Sequence, residues 1–481
     1  MSPDHPNILW YCTDQQRFDT IGALGNPHVR TPNLDRFVAQ SAAFTHAYCQ
    51  SPICTPSRAS FLTGMYPSRI RNARNGNAVV PSETAERLVT RALADAGYDG
   101  GLVGKLHLAG AASAQEPRVD DGYRVFEYSH APRNDWPLAQ HDYARWLHEK
   151  GHDPAEVLRT RAGYGGLMAP TPERDNVPPE LHQTTWCTER AIAFITGERP
   201  SDTPWFLSVN PYDPHPPYNP PWEYYRRYDP SALPGPHFRP SDLETQGRLT
   251  RAGVGFQSES QNPDDFRGRE VQAAYYAMIE LVDEQFGRLL DALESAGQAE
   301  RTVVVFTSDH GESAGDHGLL QKGCRFFDGL TRVPLIWRWP ERFVAGLRSD
   351  ALVELTDIAP TLLEIAGLPV PEETQGRSLL PILCGDAPAN DHRDYVRCEY
   401  LDAVDFPGHT RATMYRNRRW KLNVYHNHGL GELYDMQADP HEFDNLWDSA
   451  DHRDVRDELL QASFNAAVMA LDLGPRRTSG F

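Results

Sequence analysis

Thr302-Val303-Val304-Val305-Phe306-Thr307 runs directly into Ser308-Asp309-His310-Gly311-Glu312. The first run is unbroken in β-branched and aromatic residues, which is the pattern of a strand buried on both faces of a sheet. The second is polar and rich in groups that hold metals. Upstream, Glu270 to Ala296 sets Val271, Ala274, Met278, Leu281, Val282, Phe286, Leu289 and Leu293 at helical spacing, and Gly297 ends the run. Downstream, Arg332 to Trp337 reads as another strand and Thr356 to Ala366 as a helix closed by Gly367. The amino-terminal part alternates in the same way. Asn7 to Cys12 reads as a buried strand leading into Thr13-Asp14-Gln15-Gln16. Thr31-Pro32 is expected to cap a helix that turns Leu34, Phe37 and Val38 to one side. Ser82 to Ala96 is expected to be one amphipathic helix stopped by Gly97. Gly100 to Val103 is a short strand, and Pro204 to Asn210 is another that enters the stiff loop Pro211 to Tyr218.

This alternation over the first 380 residues or so predicts an α/β fold, with a large, mostly parallel sheet sandwiched between helices. The pattern weakens between about 111 and 183, where Pro, Gly, Arg and aromatics mix around one helix, Asp142 to Lys150; this reads as an insertion decorating the site. The chain is loop-rich again through Gln261. It turns loop-like near Cys384 to Asp394, which divides a catalytic unit, 1–385, from a C-terminal unit, 386–481. The latter offers strands at Tyr395–Glu399, Thr410–Arg416 and Trp420–Tyr425 and a helix from Arg453 to Leu471. That composition predicts a smaller antiparallel sheet with one helix.

Two polar pairs, Asp14-Gln15 and Asp309-His310, follow strand ends, where open α/β sheets place their ligands. The first alone is equally an Asx turn. Together they supply two carboxylates, an amide oxygen and an imidazole, a set suited to Ca²⁺, Mg²⁺ or Mn²⁺. Cys54-Thr55-Pro56-Ser57-Arg58 adds a thiol where Thr is a good N-cap and Pro a good first helical residue, with helix expected to Gly64. Cys54 then stands at a helix N-terminus, which favours an anion, with Arg58 one turn on. It is either a reactive group or a buried thiol beside an ordinary helix start. Lys105 and His107 would point to one side of an extended chain, either into an anion cleft or onto the surface. His215 is the single titratable cation of its Pro-rich loop.

The 481 residues carry 23% charged and 40% hydrophobic side chains, the balance of a soluble globular protein. A net charge of −19 disfavours nucleic acid and anionic membranes as partners, so an anionic substrate needs a local cationic pocket. The polar start and the short apolar run Ile8 to Cys12 lack a signal-peptide pattern. The seven Cys are scattered without metal-like pairing, and reduced thiols in the cytoplasm are the expectation.

Cys54 to Arg58 followed by Ala59-Ser60-Phe61-Leu62-Thr63-Gly64 resembles the signature of the formylglycine sulfatases. The resemblance extends in order through Asn7–Gln15, Thr31–Asp35, Gly104-Lys105-Leu106-His107, the His215 loop, Ser308–Glu312, Lys322, Gln375-Gly376-Arg377-Ser378-Leu379 and Glu432-Leu433-Tyr434-Asp435. This places the chain with the sulfatase branch of the alkaline phosphatase superfamily, arylsulfatases and phosphonate monoester hydrolases included. The resemblance implies that Cys54, oxidised by a separate formylglycine-generating enzyme, is the nucleophile as a gem-diol. It implies that Asp14, Gln15, Asp309 and His310 hold one divalent metal with an oxygen of residue 54, Ca²⁺ first and Mn²⁺ or Mg²⁺ as rivals. Arg58 would neutralise developing charge, Lys105 and Lys322 bind sulfate oxygens, His107 assist the hydrate and His215 face the leaving group. Gln15 and His310 depart from the Asp and Asn of many arylsulfatases, which strengthens Mn²⁺ and a likeness to phosphonate monoester hydrolases. The implied activity is hydrolysis of a small-molecule or saccharide sulfate ester. A phosphonate monoester or phosphodiester substrate is the alternative, and a homo-oligomer is compatible with either.

Overall fold

The computed structural model describes residues 5–111, 115–131, 137–158, 176–197, 203–340 and 342–471. Residues 112–114, 132–136 and 159–175, in the stretch read as an insertion, lie outside that set. In chain order the elements that matter here are β1 (Asn7–Thr13), α1 (Pro32–Ala39), β2 (Ala42–Tyr48), α2 (Cys54–Thr63), α3 (Val89–Asp95), β3 (Asp99–Gly104), β4 (Val125–Tyr128), α4 (Asp142–Glu149) and α5 (Gln183–Thr196). There follow β5 (Trp205–Asn210), α6 (Ser241–Arg251), α7 (Gly268–Ser295), β6 (Thr302–Ser308), β7 (Arg332–Arg338), β8 (Arg348–Glu354) and α8 (Ile358–Ile365). The last are β9 (Tyr395–Leu401), β10 (Arg411–Asn417), β11 (Trp420–His426), β12 (Leu430–Asp435) and α9 (Arg453–Met469).

Eight strands form one sheet in the order β4-β3-β5-β1-β6-β7-β2-β8. Only β7 runs against the rest: it pairs antiparallel with β6 and β2, and the other neighbours are parallel. The alternation of side chains across a strand divides the core. Ile8, Trp10, Val303 and Val305 pack on one face with Phe61 of α2, Leu93 of α3 and Leu362 of α8. Leu9, Tyr11, Val304 and Phe306 pack on the other with Phe37 of α1, Trp186 of α5 and Phe286 of α7. Helices therefore cover both faces, as the unbroken apolar strands require. β9 to β12 form the second sheet, an antiparallel meander.

Several local expectations change. β2, β4, β8, β12, α5 and α6 were not foreseen; α6 lies in the stretch expected to be loop. The helix expected over Ser82 to Ala96 is broken in two, because Leu88 is extended (ψ 122°) between Ser82–Ala85 and Val89–Asp95. Thr31 sits at the N-cap of α1 but does not cap it with its side chain. Asp283 of α7 does so instead, accepting the N–H of Asn33 at 3.1 Å and of Leu34 at 2.6 Å.

A buried ion cluster ties the second sheet to the first. Lys421 of β11 is fully buried, with Nζ 2.5 Å from Asp328 Oδ1, 2.7 Å from Glu442 Oε1 and 3.0 Å from the Phe326 carbonyl. Lys421→Met keeps the volume and leaves the buried Glu442 without its cation, while Asp328 keeps Arg332 and Arg416. It should cost about 3–5 kcal/mol, read as a lower urea midpoint. A midpoint within error of the parent would show that the cluster adds nothing.

Candidate active site

β1 and β6 are neighbours in a register that pairs Thr13 with Ser308. Asp14 and Asp309 therefore leave the sheet side by side, both with no exposed surface. Ser308 stitches the two exits together: its hydroxyl donates to the Thr13 carbonyl (3.2 Å) and accepts the Gln16 N–H (2.8 Å). Asp309 Oδ1 accepts the N–H of Gln15 and of His310, each at 2.9 Å, and Oδ2 accepts Arg58 Nε at 2.8 Å.

α2 delivers Cys54 to this edge. Every residue of the helix is buried. Cys54 itself opens it after an extended Ile53, so the expected Thr55 cap is displaced. The N–H of Thr55 is taken by Asn75 Oδ1 at 3.2 Å instead. Gly64 ends α2 at φ 72°, and its carbonyl accepts the N–H groups of Gln375 (3.0 Å) and Gly376 (2.9 Å). A Cβ at position 376 would meet the Thr356 carbonyl, so only glycine lets that turn close on the helix end.

Cations surround the thiol. Cys54 Sγ lies 2.9 Å from Lys322 Nζ, 3.6 Å from Lys105 Nζ, 3.2 Å from His310 Nε2 and 3.8 Å from Asp14 Oδ1, and His107 bonds it too. Burial opposes the thiolate, but Lys105, Lys322 and His310 outweigh it and hold the thiol well below its usual range. Lys105 also pairs with Asp14 Oδ2. Burial and Cys54 push the Asp14 carboxyl up, yet Lys105, His215 and Arg58 together hold it below the ordinary range. Burial, then Lys105, lowers His107 to about 4, so its ring is neutral at neutral pH.

The structure thus brings Asp14, Gln15, Cys54, Lys105, His107, Asp309, His310 and Lys322 together. Arg58 stands behind Asp309, bonded also to the Lys105 carbonyl at 3.0 Å. Among the described residues its Nη2 has no hydrogen-bond partner, and its side chain lines a void of about 10 Å³ with Trp10 and Cys12. Its charge is paired with Asp309. His215 has its ring 4.5 Å from that of Tyr212 and Nδ1 2.6 Å from the Pro216 carbonyl. That bond fixes the proton on Nδ1 and leaves Nε2 as the other ring nitrogen.

Sequence reasoning missed several supporting groups. Glu312, quoted above without a role, takes the amide nitrogen of Gln15 and so directs the amide oxygen to Lys322, 2.7 Å away. The Tyr275 hydroxyl donates to the Gln15 carbonyl, and Asn210 Nδ2 donates to that of Lys105 at 2.8 Å. Glu116 and His130 lie in the stretch that showed no periodicity. No local pattern announces any of them except Glu312, which is contiguous with Asp309-His310.

The family model described as Sulfatase matches residues 6–368. The chain belongs to the sulfatase family. A second model, N-sulphoglucosamine sulphohydrolase, C-terminal, matches residues 315–467 of this sulfatase. Arylsulfatase of Clostridium perfringens is 30% identical over 466 residues, spanning 94% of this chain and 92% of its own. N-acetylglucosamine-6-O-sulfatase of Bacteroides thetaiotaomicron is 26% identical over 519 residues, spanning 95% and 85%. Among solved structures, phosphonate monoester hydrolase of Agrobacterium radiobacter superposes with a TM-score of 0.82 at 26% identity, covering 99% of this chain and 98% of that one.

The donors of this sulfatase suit a divalent cation. Asp14, Cys54, Asp309 and His310 each offer one atom, all within 4.8 Å of one another and all buried. His310 Nδ1 donates to the Gly311 carbonyl at 2.8 Å, which directs Nε2 at the cluster. Lys322 Nζ meets His310 Nε2 at 3.2 Å and Gln15 Oε1 at 2.7 Å, so positive charge already lies against those donors.

Proposed function

We propose that this sulfatase hydrolyses sulfate monoesters, releasing an alcohol or sugar and inorganic sulfate, through formylglycine made from Cys54 by a separate formylglycine-generating enzyme. The observation that carries the reading is a thiol at the first turn of α2 within 3.6 Å of two lysine ammoniums, beside two buried carboxylates. Asp14, Gln15, Asp309 and His310, with an oxygen of residue 54, would hold a divalent metal, Ca²⁺ first and Mn²⁺ or Mg²⁺ as rivals. When bound, that ion supplies a Lewis acid against the charge of the sulfuryl group. The hydrated aldehyde supplies an oxygen nucleophile and a second hydroxyl that can later expel sulfate. Lys105 and Lys322 clamp the peripheral sulfate oxygens. His107, neutral and in contact with residue 54, accepts a hydroxyl proton there. Arg58 keeps Asp309 ionised and aimed. His215, when protonated on both ring nitrogens, gives the Nε2 proton to the leaving oxygen and is left as the Nδ1–H tautomer that the Pro216 carbonyl holds.

A second reading, phosphonate monoester or phosphodiester hydrolysis by the same groups, is favoured by the likeness to the Agrobacterium enzyme and by the Gln15 and His310 pair. The similarity to an N-acetylglucosamine-6-O-sulfatase favours a saccharide as the alcohol. The deciding measurement compares kcat/KM for sugar 6-sulfates, nitrophenyl sulfate and phenyl phosphonate monoesters, with intact-mass analysis of the Cys54 peptide. Sulfates should turn over faster; a preference for phosphonates transfers the function to the second reading.

His215 makes a finer prediction. Alkyl and sugar sulfates leave as basic alkoxides that need a proton, whereas nitrophenolate hardly does. His215→Ala should lower kcat/KM for the former by roughly 10²–10⁴ and for the latter much less. Equal losses across a leaving-group series, in a variant of parental stability, would remove His215 from the acid's role.

A further inference from the structure

We infer that Glu116 is the positioning residue of His107: its buried carboxylate grips the backbone on both sides of that histidine and so holds the imidazole against residue 54. The inference rests on the proposed function, in which His107 works on that residue. Lys105 and His107 must both reach the same atom although β3 ends at Gly104. The chain achieves this with a backbone that departs from the extended path, since His107 adopts φ 59°. A side chain with a β carbon enters the left-handed region at a cost and stays there only where its surroundings impose it.

What imposes it is Glu116. Oε2 accepts the His107 N–H at 2.7 Å and Oε1 the Leu108 N–H at 2.9 Å, so one carboxylate spans two successive peptides. The Tyr128 hydroxyl, at the end of edge strand β4, donates to Oε2 at 3.2 Å and fixes the carboxylate in turn. From the other side Asn72 Nδ2 holds the Leu108 carbonyl at 3.1 Å. Glu116 is 2% exposed. Burial pushes its carboxyl up to about 7, against the pull of these hydrogen bonds.

The ring offers no substitute for this clamp. A working histidine is ordinarily oriented by a partner on its second nitrogen. Here, among the described residues, Nδ1 of His107 is buried without a hydrogen-bond partner, and a neighbour of the ring is the edge-on ring of His130, centroids 4.3 Å apart. Orientation must therefore come through the backbone. Glutamate suits the task better than glutamine, because two N–H donors need two acceptor oxygens and an amide nitrogen would face one of them.

The test uses full-length enzyme with rates normalised to formylglycine content by peptide mass. Glu116→Ala should lower kcat about 10–100-fold with KM within about threefold, the usual effect of losing an orienting partner. Glu116→Gln, which keeps the shape and one acceptor, should fall between it and the parent, and it decides the matter alone if the alanine variant does not fold. His107→Ala/Glu116→Ala should be no slower than His107→Ala, since a residue acting only through His107 has nothing left to orient. Losses that multiply in the double variant, or parental kcat in Glu116→Gln together with a lowered Tm, would reduce Glu116 to a structural residue and overturn the inference. Parental kcat in His107→Ala would overturn it at its premise, by removing the role proposed for His107 itself.

Discussion

Cys54→Ala should abolish turnover of sulfate monoesters, lowering kcat/KM by roughly 10⁴–10⁶-fold, the scale seen when a nucleophile is removed from an otherwise intact site. The change is conservative for the fold: position 54 is the first residue of α2, and alanine is a good helix former. Lys105, Lys322 and His310 would still surround the position, so substrate binding should survive better than catalysis. Cys54→Ser separates the proposed aldehyde from a plain oxygen nucleophile. Serine can be sulfated but has no second hydroxyl on the same carbon to expel the group, so it should give at most one burst and then stall. Peptide mass should show the parent's thiol sulfur replaced by an aldehyde oxygen. Full activity in Cys54→Ala, or an unaltered cysteine in fully active enzyme, would end the formylglycine reading.

Loss of the metal should be nearly as severe. Chelation should remove activity, with recovery on adding Ca²⁺ or Mn²⁺, and the ion that restores the rate identifies the rival that serves. Asp309→Asn should cost about 10³-fold or more at constant structure. Asparagine keeps one carbonyl oxygen for the Gln15 and His310 N–H groups but withdraws the charge that pairs with Arg58 at 2.8 Å. Removing one partner of a buried pair costs about 3–5 kcal/mol, so denaturant midpoints must accompany the rates. Asp309→Asn that retains its rate, or metal-free enzyme at full speed, would contradict the proposed role of the cluster.

The elements that were hardest to read share a physical cause. β2, Ala42-Ala43-Phe44-Thr45-His46-Ala47-Tyr48, has neither clean alternation nor an apolar run, because its pairings with β7 and β8 are interrupted by register shifts. β8 is an edge strand, Arg348 to Glu354, with exposed charge at its start, and such strands carry weak patterns. α6 shows few apolar positions because only Asp242, Gln246 and Leu249 are buried. The two caps assigned to Thr31 and Thr55 failed. Local sequence names a residue able to cap, whereas Asp283 takes the first N–H groups of α1 from elsewhere in the chain, and α2 starts ahead of Thr55, whose own N–H is held by Asn75.

Sequence alone determined much of the alternation of elements, both apolar strands at the centre of the sheet, a helix that follows the Cys54 signature and stops at Gly64, and the polar pairs that leave the two strand ends. These are local properties: a buried strand must be apolar, and a reactive group must be written into the chain. Tertiary structure decided the rest. It set the reversal of β7 and the register that brings Asp14 beside Asp309 across nearly 300 residues of chain. It placed Arg58 behind Asp309, tied Nδ1 of His215 and of His310 to backbone carbonyls, and brought Glu116 under His107. Those partners are chosen by distance in space, and a hydrogen bond between residues far apart in the chain leaves no periodic trace in the sequence.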